Sequence, residues 1–523
     1  MKFCPRNPLC VFVLVLVWRV LLLVFTAQPI PANDAFGYDG AVVNFLHGGH
    51  YCNPSLAVVF PISGKEIYST YPPLYQGVLL VWMKLFGPGV IAAMILHLAL
   101  FAVSGWLTLG IVKRFFPAAT NYAVVALLFF GFTFGDRPED LAYIFGLGAL
   151  WLVARQISEA VFRAETAAGL LLVLLLGLYT SVIVGAYFFG AGFLACAMTW
   201  LWRRKVFVFA PFLAAAAVFA VITFFIAKTE PRWWAGFMES AREQSVMTAG
   251  FHWPHAGDVL KLIRTAPVFL LGVVALPWLA ARRREVFSRE SVWLALAVGI
   301  FVMGWLLLVA DLTLLAANYV TYVMFTQILF AAALLALAQK YFPERERWQR
   351  LALLTGVLLV SIRAAGMTTW GVACAWNNSY QNTQAVLRTE LGPFTKSDRP
   401  VLVSSAFLYG AAELGVKNPI HSDWYFDHAS WTENAETDGL ARLRPARLVL
   451  TQFDYYRSFV LPLEKLRQHP ELVKIRVRNL AVVRPPDAIP ALQRVVQHIS
   501  WAPVIVDLDW KYAVRLDSAG ASR

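Results

Sequence analysis

From Leu9 to Trp370 the chain alternates long apolar runs with short polar breaks, and Lys and Arg collect in the breaks. A helix needs roughly 20 apolar residues to cross a bilayer core of about 30 Å. Runs of this kind lie at Leu9–Ala27, Pro88–Val112, Thr120–Phe134, Glu139–Ala154, Ala167–Thr180 and Val182–Leu201. Others lie at Val206–Ala227, Ala266–Ala281, Val292–Ala310, Tyr319–Ala338 and Leu351–Trp370, so about eleven transmembrane helices are predicted. The first run resembles a secretory signal, but Arg19 sits inside its apolar core, and an uncleaved anchor is expected instead.

Leu74–Phe86 is apolar too, yet it is short and carries Gln76 and Lys84. If it lies along the outer surface, the clusters Lys113-Arg114, Arg155 with Arg163, Arg203-Arg204-Lys205, Arg282-Arg283-Arg284 and Arg345 with Arg347 all face the cytoplasm, as the positive-inside rule requires. Counting it as a span turns every cluster outward. It is therefore predicted as a juxtamembrane helix, with the N-terminus cytoplasmic and the C-terminus outside.

Past about Asn377 the long runs stop. Short strand-like stretches at Pro400–Ser404, Arg447–Thr451, Leu472–Arg476, Leu480–Val483 and Val504–Asp507 alternate with helical patterns such as Leu461–His469. The expected fold is a polytopic α-helical membrane domain over 1–375, with a first outer loop at 28–88, followed by an extracytoplasmic α/β domain over 376–523.

Composition agrees with this division. The 523 residues are 59% hydrophobic and only 15% charged, which excludes a set of soluble domains. The net charge of +13 suggests a nucleic-acid partner, but its distribution at the ends of apolar runs reads as topology. From Asn377 onward there are 18 Lys+Arg against 15 Asp+Glu, an ordinary balance for a soluble domain. The 5 cysteines show no CxxC spacing, so no zinc site or disulfide framework is implied, although a Cys52–Cys374 bridge stays open.

On this topology the polar chemistry gathers outside, most densely in Asn33–Tyr75. Asp34 is placed to cap a short amphipathic helix with Ala41, Val42, Phe45 and Leu46 on one side and Gly48-Gly49 at its end. Tyr38 follows the Asp by four residues, Tyr71-Pro72-Pro73-Leu74 closes the loop, and Arg137-Pro138-Glu139-Asp140 occupies the second outer loop. These segments resemble the C-type glycosyltransferases of membranes, the superfamily of the lipid A aminoarabinose transferases and the protein O-mannosyltransferases. The resemblance implies a sugar donor on a polyprenyl phosphate and a lipid, glycan or protein acceptor. Independently, the chain carries no Rossmann-type or P-loop glycine motif for a nucleotide.

A single displacement at the anomeric carbon, with polyprenyl phosphate leaving, inverts the centre and needs a base together with groups that receive the phosphate. Asp34 and Glu139 are the candidate catalytic acids. Tyr38, Asp39, Tyr71, Arg137, Asp140, Tyr319 and Arg363 are the candidate substrate-binding residues. Each has a plainer role: Asp34 as a helix cap, Glu139 as a first-turn acid, Arg137 as an interfacial arginine, and Tyr319 as part of an aromatic belt. Trp233-Trp234 with Phe237 offers a stacking surface or a belt, and His252 with His255 is a weak metal motif. No metal or cofactor is assigned. Two departures from the aminoarabinose transferases are Tyr71, where they carry Lys before the Pro pair, and Thr180-Ser181 in place of Thr-Lys. A transporter or flippase, or a non-catalytic subunit that binds lipid-linked sugar, is the competing class. A bacterial inner membrane is the expected location.

Overall fold

The computed structural model describes residues 8–26, 35–131, 137–158, 163–203, 206–247, 292–313, 324–341, 346–377, 380–422, 425, 435–480 and 502–511. These residues divide into two compact units. One comprises Met1–Leu22 with Ser69–Thr369, and the other Leu23–Tyr68 with Trp370–Arg523.

The first unit is helical. Its helices are α1 (Pro8–Thr26), α4 (Pro73–Phe86), α5 (Val90–Phe115), α6 (Thr120–Gly131), α7 (Glu139–Ser158), α8 (Ala164–Thr180), α9 (Val182–Arg203), α10 (Ala210–Thr229), α11 (Pro231–Met247), α12 (Val292–Thr313), α13 (Met324–Tyr341) and α14 (Glu346–Asn377), the last residues of α1 and α14 running into the second unit. Among the described residues, 5 helices are long and apolar enough to cross a membrane: Val90–Phe115, Glu139–Ser158, Val182–Leu201, Phe207–Thr229 and Arg347–Gly366. Shorter apolar helices at Cys10–Leu21, Pro117–Phe129, Ala164–Thr180, Leu294–Ala310 and Phe325–Ala336 coincide with five further expected runs. The expected run Ala266–Ala281 lies outside the described residues. As expected, Leu74–Phe86 forms a short helix of its own, the 14-residue α4, which starts at Pro73 and is stopped by Gly87 at φ 93°.

α7 packs against α5, α8 and α9, and α9 packs against α12. Small residues allow this closeness: a Cβ on Gly299 of α12 would fall 2.2 Å from the Ala191 carbonyl oxygen of α9. Apolar lipid supplies little hydrophobic drive between spans, so such close packing is what holds them together. The shared core runs through Leu147, Leu150, Val153, Leu170, Phe188 and Phe212.

The second unit contains a five-stranded sheet in the order β2-β1-β3-β5-β4, made of β1 (Val401–Val403), β2 (Pro419–His421), β3 (Arg447–Thr451), β4 (Val473–Asn479) and β5 (Pro503–Trp510). β1 runs parallel to β2 and β3, whereas β5 runs antiparallel to β3 and β4. Leu402, Leu448, Leu450, Val504 and Val506 form its core with Leu463 of the helix Val460–Arg467. Glu390, from the helix Tyr380–Leu391, receives Arg447 and Arg478 at 2.7 Å each, which ties that helix to two strands.

Residues 35–68 belong to this unit. Its helix α2 (Ala35–Leu46) packs on α15 (Ser405–Glu413), with Phe36 edge-on to Tyr409 at 5.0 Å. Asn53 donates to the carbonyls of Phe36 (2.8 Å) and Gly37 (3.2 Å), and only a glycine at position 40 admits it. The expected one-sided helix is therefore corrected: Ala35 to Val43 are buried all round while Phe45 is 43% exposed. Polar groups of the loop meet the helix where periodicity suggested solvent. Gly48, at φ 87°, follows its end as expected. Cys52 is a free buried thiol and forms no bridge to Cys374.

Candidate functional site

The acid pair Glu139–Asp140 opens α7 directly after Arg137-Pro138. Proline's fixed φ suits the start of a helix, and the unpaired N–H groups there favour negative side chains. The two acids are buried nonetheless, with 1% and 3% of their surface exposed. A carboxylate removed from water needs donors.

Donors come from α5, from the link between α8 and α9, and from the turn that precedes the acids. His97, in the third turn of α5 and itself buried, places Nδ1 2.6 Å from Asp140 Oδ2. Its Nε2 lies 2.8 Å from the hydroxyl of Tyr75, on the first turn of α4. With Nδ1 protonated, the imidazole donates to the carboxylate and accepts the tyrosine proton, so one neutral tautomer serves both neighbours. The backbone N–H of Arg137 makes a longer contact with the same Asp140 oxygen at 3.4 Å. Ser181, the extended residue between α8 and α9, donates its hydroxyl to Glu139 Oε1 at 3.5 Å.

The chain Tyr75–His97–Asp140 thus joins the Tyr71–Tyr75 segment to the Arg137–Asp140 segment. Sequence reasoning named Asp140 and the Pro-Pro motif but missed His97 and did not single out the Tyr75 side chain. The available signal was a lone histidine inside an otherwise apolar span. Ser181 was noticed only as a departure from a Thr-Lys pair.

The other candidates fall elsewhere. Asp34 and Tyr319 lie outside the described residues, as do His252 and His255. Tyr71 is half-buried ahead of Pro72 and α4. Tyr38 and Asp39 belong to the second unit, where Asp39 is fully buried and accepts the hydroxyl of Tyr409. Arg363, on α14, stands 4.6 Å from the centroid of the Phe129 ring, an aromatic neighbour. Trp233 and Phe237 stack at 5.5 Å with their planes 9° apart. Among the described residues no group of three or more His, Cys, Asp or Glu side chains is placed to hold a metal ion.

No protein-family model matches the chain, and no curated protein does. Among solved structures it is similar to ArnT from Cupriavidus metallidurans in the apo state, at 13% identity, with 94% of this chain and 97% of that chain covered and a TM-score of 0.51. The fold is that of the C-type membrane glycosyltransferases. Two further C-type structures align less closely. ArnT from Cupriavidus metallidurans bound to undecaprenyl phosphate matches at 12% identity, covering 95% of this chain and 97% of that chain, with a TM-score of 0.49. The archaeal oligosaccharyltransferase AglB from Archaeoglobus fulgidus, in complex with an inhibitory peptide and a dolichol-phosphate, matches at 11%, covering 85% and 70%, with a TM-score of 0.44.

Proposed function

We propose that the protein is a glycosyltransferase that moves one sugar from a polyprenyl-phosphate donor to a lipid, glycan or protein acceptor on the extracytoplasmic face of a bacterial inner membrane. The observation that carries this reading is the buried acid pair at the start of α7, on a C-type fold, hydrogen-bonded by His97 of α5 and by Ser181 between α8 and α9, with Tyr75 of α4 bonded to His97 behind them. Ionisable groups at the mouth of a span face a partner or a polar cavity.

In this reading Asp34 takes the proton of the acceptor hydroxyl as oxygen attacks the anomeric carbon, and the polyprenyl phosphate leaves with inversion. Glu139 orients the sugar or acceptor. Asp140, already engaged by His97, keeps the turn in register, and Arg137 meets the donor phosphate. Tyr38, Asp39, Tyr71, Tyr319 and Arg363 are assigned to donor and acceptor contacts.

Purified protein incubated with radiolabelled polyprenyl-phosphate sugars and membrane extracts tests the activity: label is expected to pass to an acceptor. Movement of the labelled lipid across a vesicle without sugar transfer would identify a transporter instead. Asp34→Asn keeps a capping oxygen but loses the base, so turnover is expected to fall by about 10²-fold or more at normal expression. Normal turnover by Asp34→Asn beside an inactive Asp39→Asn would move the base to Asp39.

A further inference from the structure

The end of α7 remote from the acid pair borders a cavity of about 380 Å³. A helix rises about 1.5 Å per residue, so the 20 residues of α7 set its ends roughly 30 Å apart, the thickness of a bilayer core. The cavity is lined by Arg114 and Phe115 from the last turn of α5, and by Trp151, Ala154, Arg155 and Ser158 from α7. Its size falls within the range of small-molecule sites, roughly 300–1,000 Å³.

Arg114 is held in an unusual way for a surface arginine. Its guanidinium carbon lies 5.2 Å from the centroid of the Trp151 ring and 5.9 Å from that of Phe115. A guanidinium held over aromatic rings keeps its N–H donors for other partners, and those donors match an oxyanion in pairs. Among the described residues no carboxylate or carbonyl takes those donors. Arg155 lines the same cavity from the neighbouring helix.

Arg114, Arg155 and the adjacent Lys113 stand beside an indole at the end of two apolar helices of crossing length, at the depth where the bilayer itself delivers phosphate groups.

We propose that this cavity binds the phosphate of an anionic phospholipid headgroup, in the leaflet opposite the acid pair. The in-plane donors of Arg114 and the charge of Arg155 grip the phosphate, and Trp151 walls the headgroup. The site is separate from sugar transfer and does not depend on it.

The test uses the full chain, delipidated in detergent and titrated with phosphatidylglycerol, phosphatidylcholine or inorganic phosphate, with bound species counted by native mass spectrometry. Phosphatidylglycerol is expected to bind at least about tenfold more tightly than phosphatidylcholine. Arg114→Gln and Arg155→Gln are each expected to weaken it about fivefold, and the pair about 30-fold. Lys113→Gln, an exposed neighbour that does not line the cavity, is expected to change binding less than about twofold. Equal losses for Lys113→Gln and the two cavity variants would mean diffuse surface attraction and overturn the site. Inorganic phosphate binding as tightly as the lipid would overturn the headgroup assignment. Both arginines are exposed, so the variants are expected to fold, and a single monodisperse elution peak checks this before titration.

Discussion

The two ends of α7 handle charge in opposite ways. At Glu139–Asp140 the carboxylates are buried and each has a donor from another element, whereas at Arg155 the guanidinium is exposed and stands at a cavity. Both ends obey helix electrostatics, with acids in the first turn and a base in the last. They differ in the cost of being there. A buried carboxylate without donors is strongly disfavoured, so tertiary partners must have been built around it, while an interfacial cation reaches water or headgroups by its own length.

Five substitutions break or sharpen this contrast, beginning with the strongest. Glu139→Gln keeps the shape and the Ser181 contact but removes the charge, and sugar transfer is expected to drop by about 10²-fold with little change in thermal unfolding. Full activity in that variant would reduce the acid end to a helix cap. Asp140→Ala leaves the buried His97 N–H without its carboxylate, and a stability loss of about 1–3 kcal/mol is expected, read as a lower midpoint in detergent melts. An unchanged midpoint would mean that the His97–Asp140 bond holds nothing.

The two amide replacements of His97 separate its bonds. Asparagine presents an N–H near the position of Nδ1 and is expected to preserve the Asp140 contact. Glutamine reaches toward the position of Nε2 and keeps the Tyr75 contact instead. Asparagine is therefore expected to retain several-fold more kcat than glutamine at similar KM, because it is the acid that must be oriented. The reverse order would assign His97 to Tyr75 and the Pro-Pro segment. Smallest of all, Arg155→Gln is expected to shift stability by no more than about 0.5 kcal/mol, measured by the same melts. A larger loss would show that the basic end is also structurally built in.

The membrane helices were legible because a run of apolar residues long enough for the bilayer has few other uses, and basic clusters mark its ends. Four expected strands correspond to β1, β3, β4 and β5. Leu480–Val483 falls mostly outside the described residues. β2, Pro419–His421, was missed because its 3 residues are too short to show a period. At the site, Glu139 and Asp140 were visible as acids ahead of an apolar run. His97 stood out only as a lone histidine in an apolar span, and its partners were hidden because it stands 43 residues from Asp140 and 22 from Tyr75.

By itself, then, the chain determines where helices begin and end, which segments are apolar enough for lipid, and which acids sit at helix starts, because these follow from short-range periodicity and transfer free energy. Only the tertiary structure decides that α2 is buried on every side by its own loop and by α15. It alone sets Asp39 against Tyr409 and draws Tyr75, His97 and Asp140 into one hydrogen-bonded line. Periodicity tells which face of a helix is apolar, but the partner of a buried polar group is chosen by packing between distant segments.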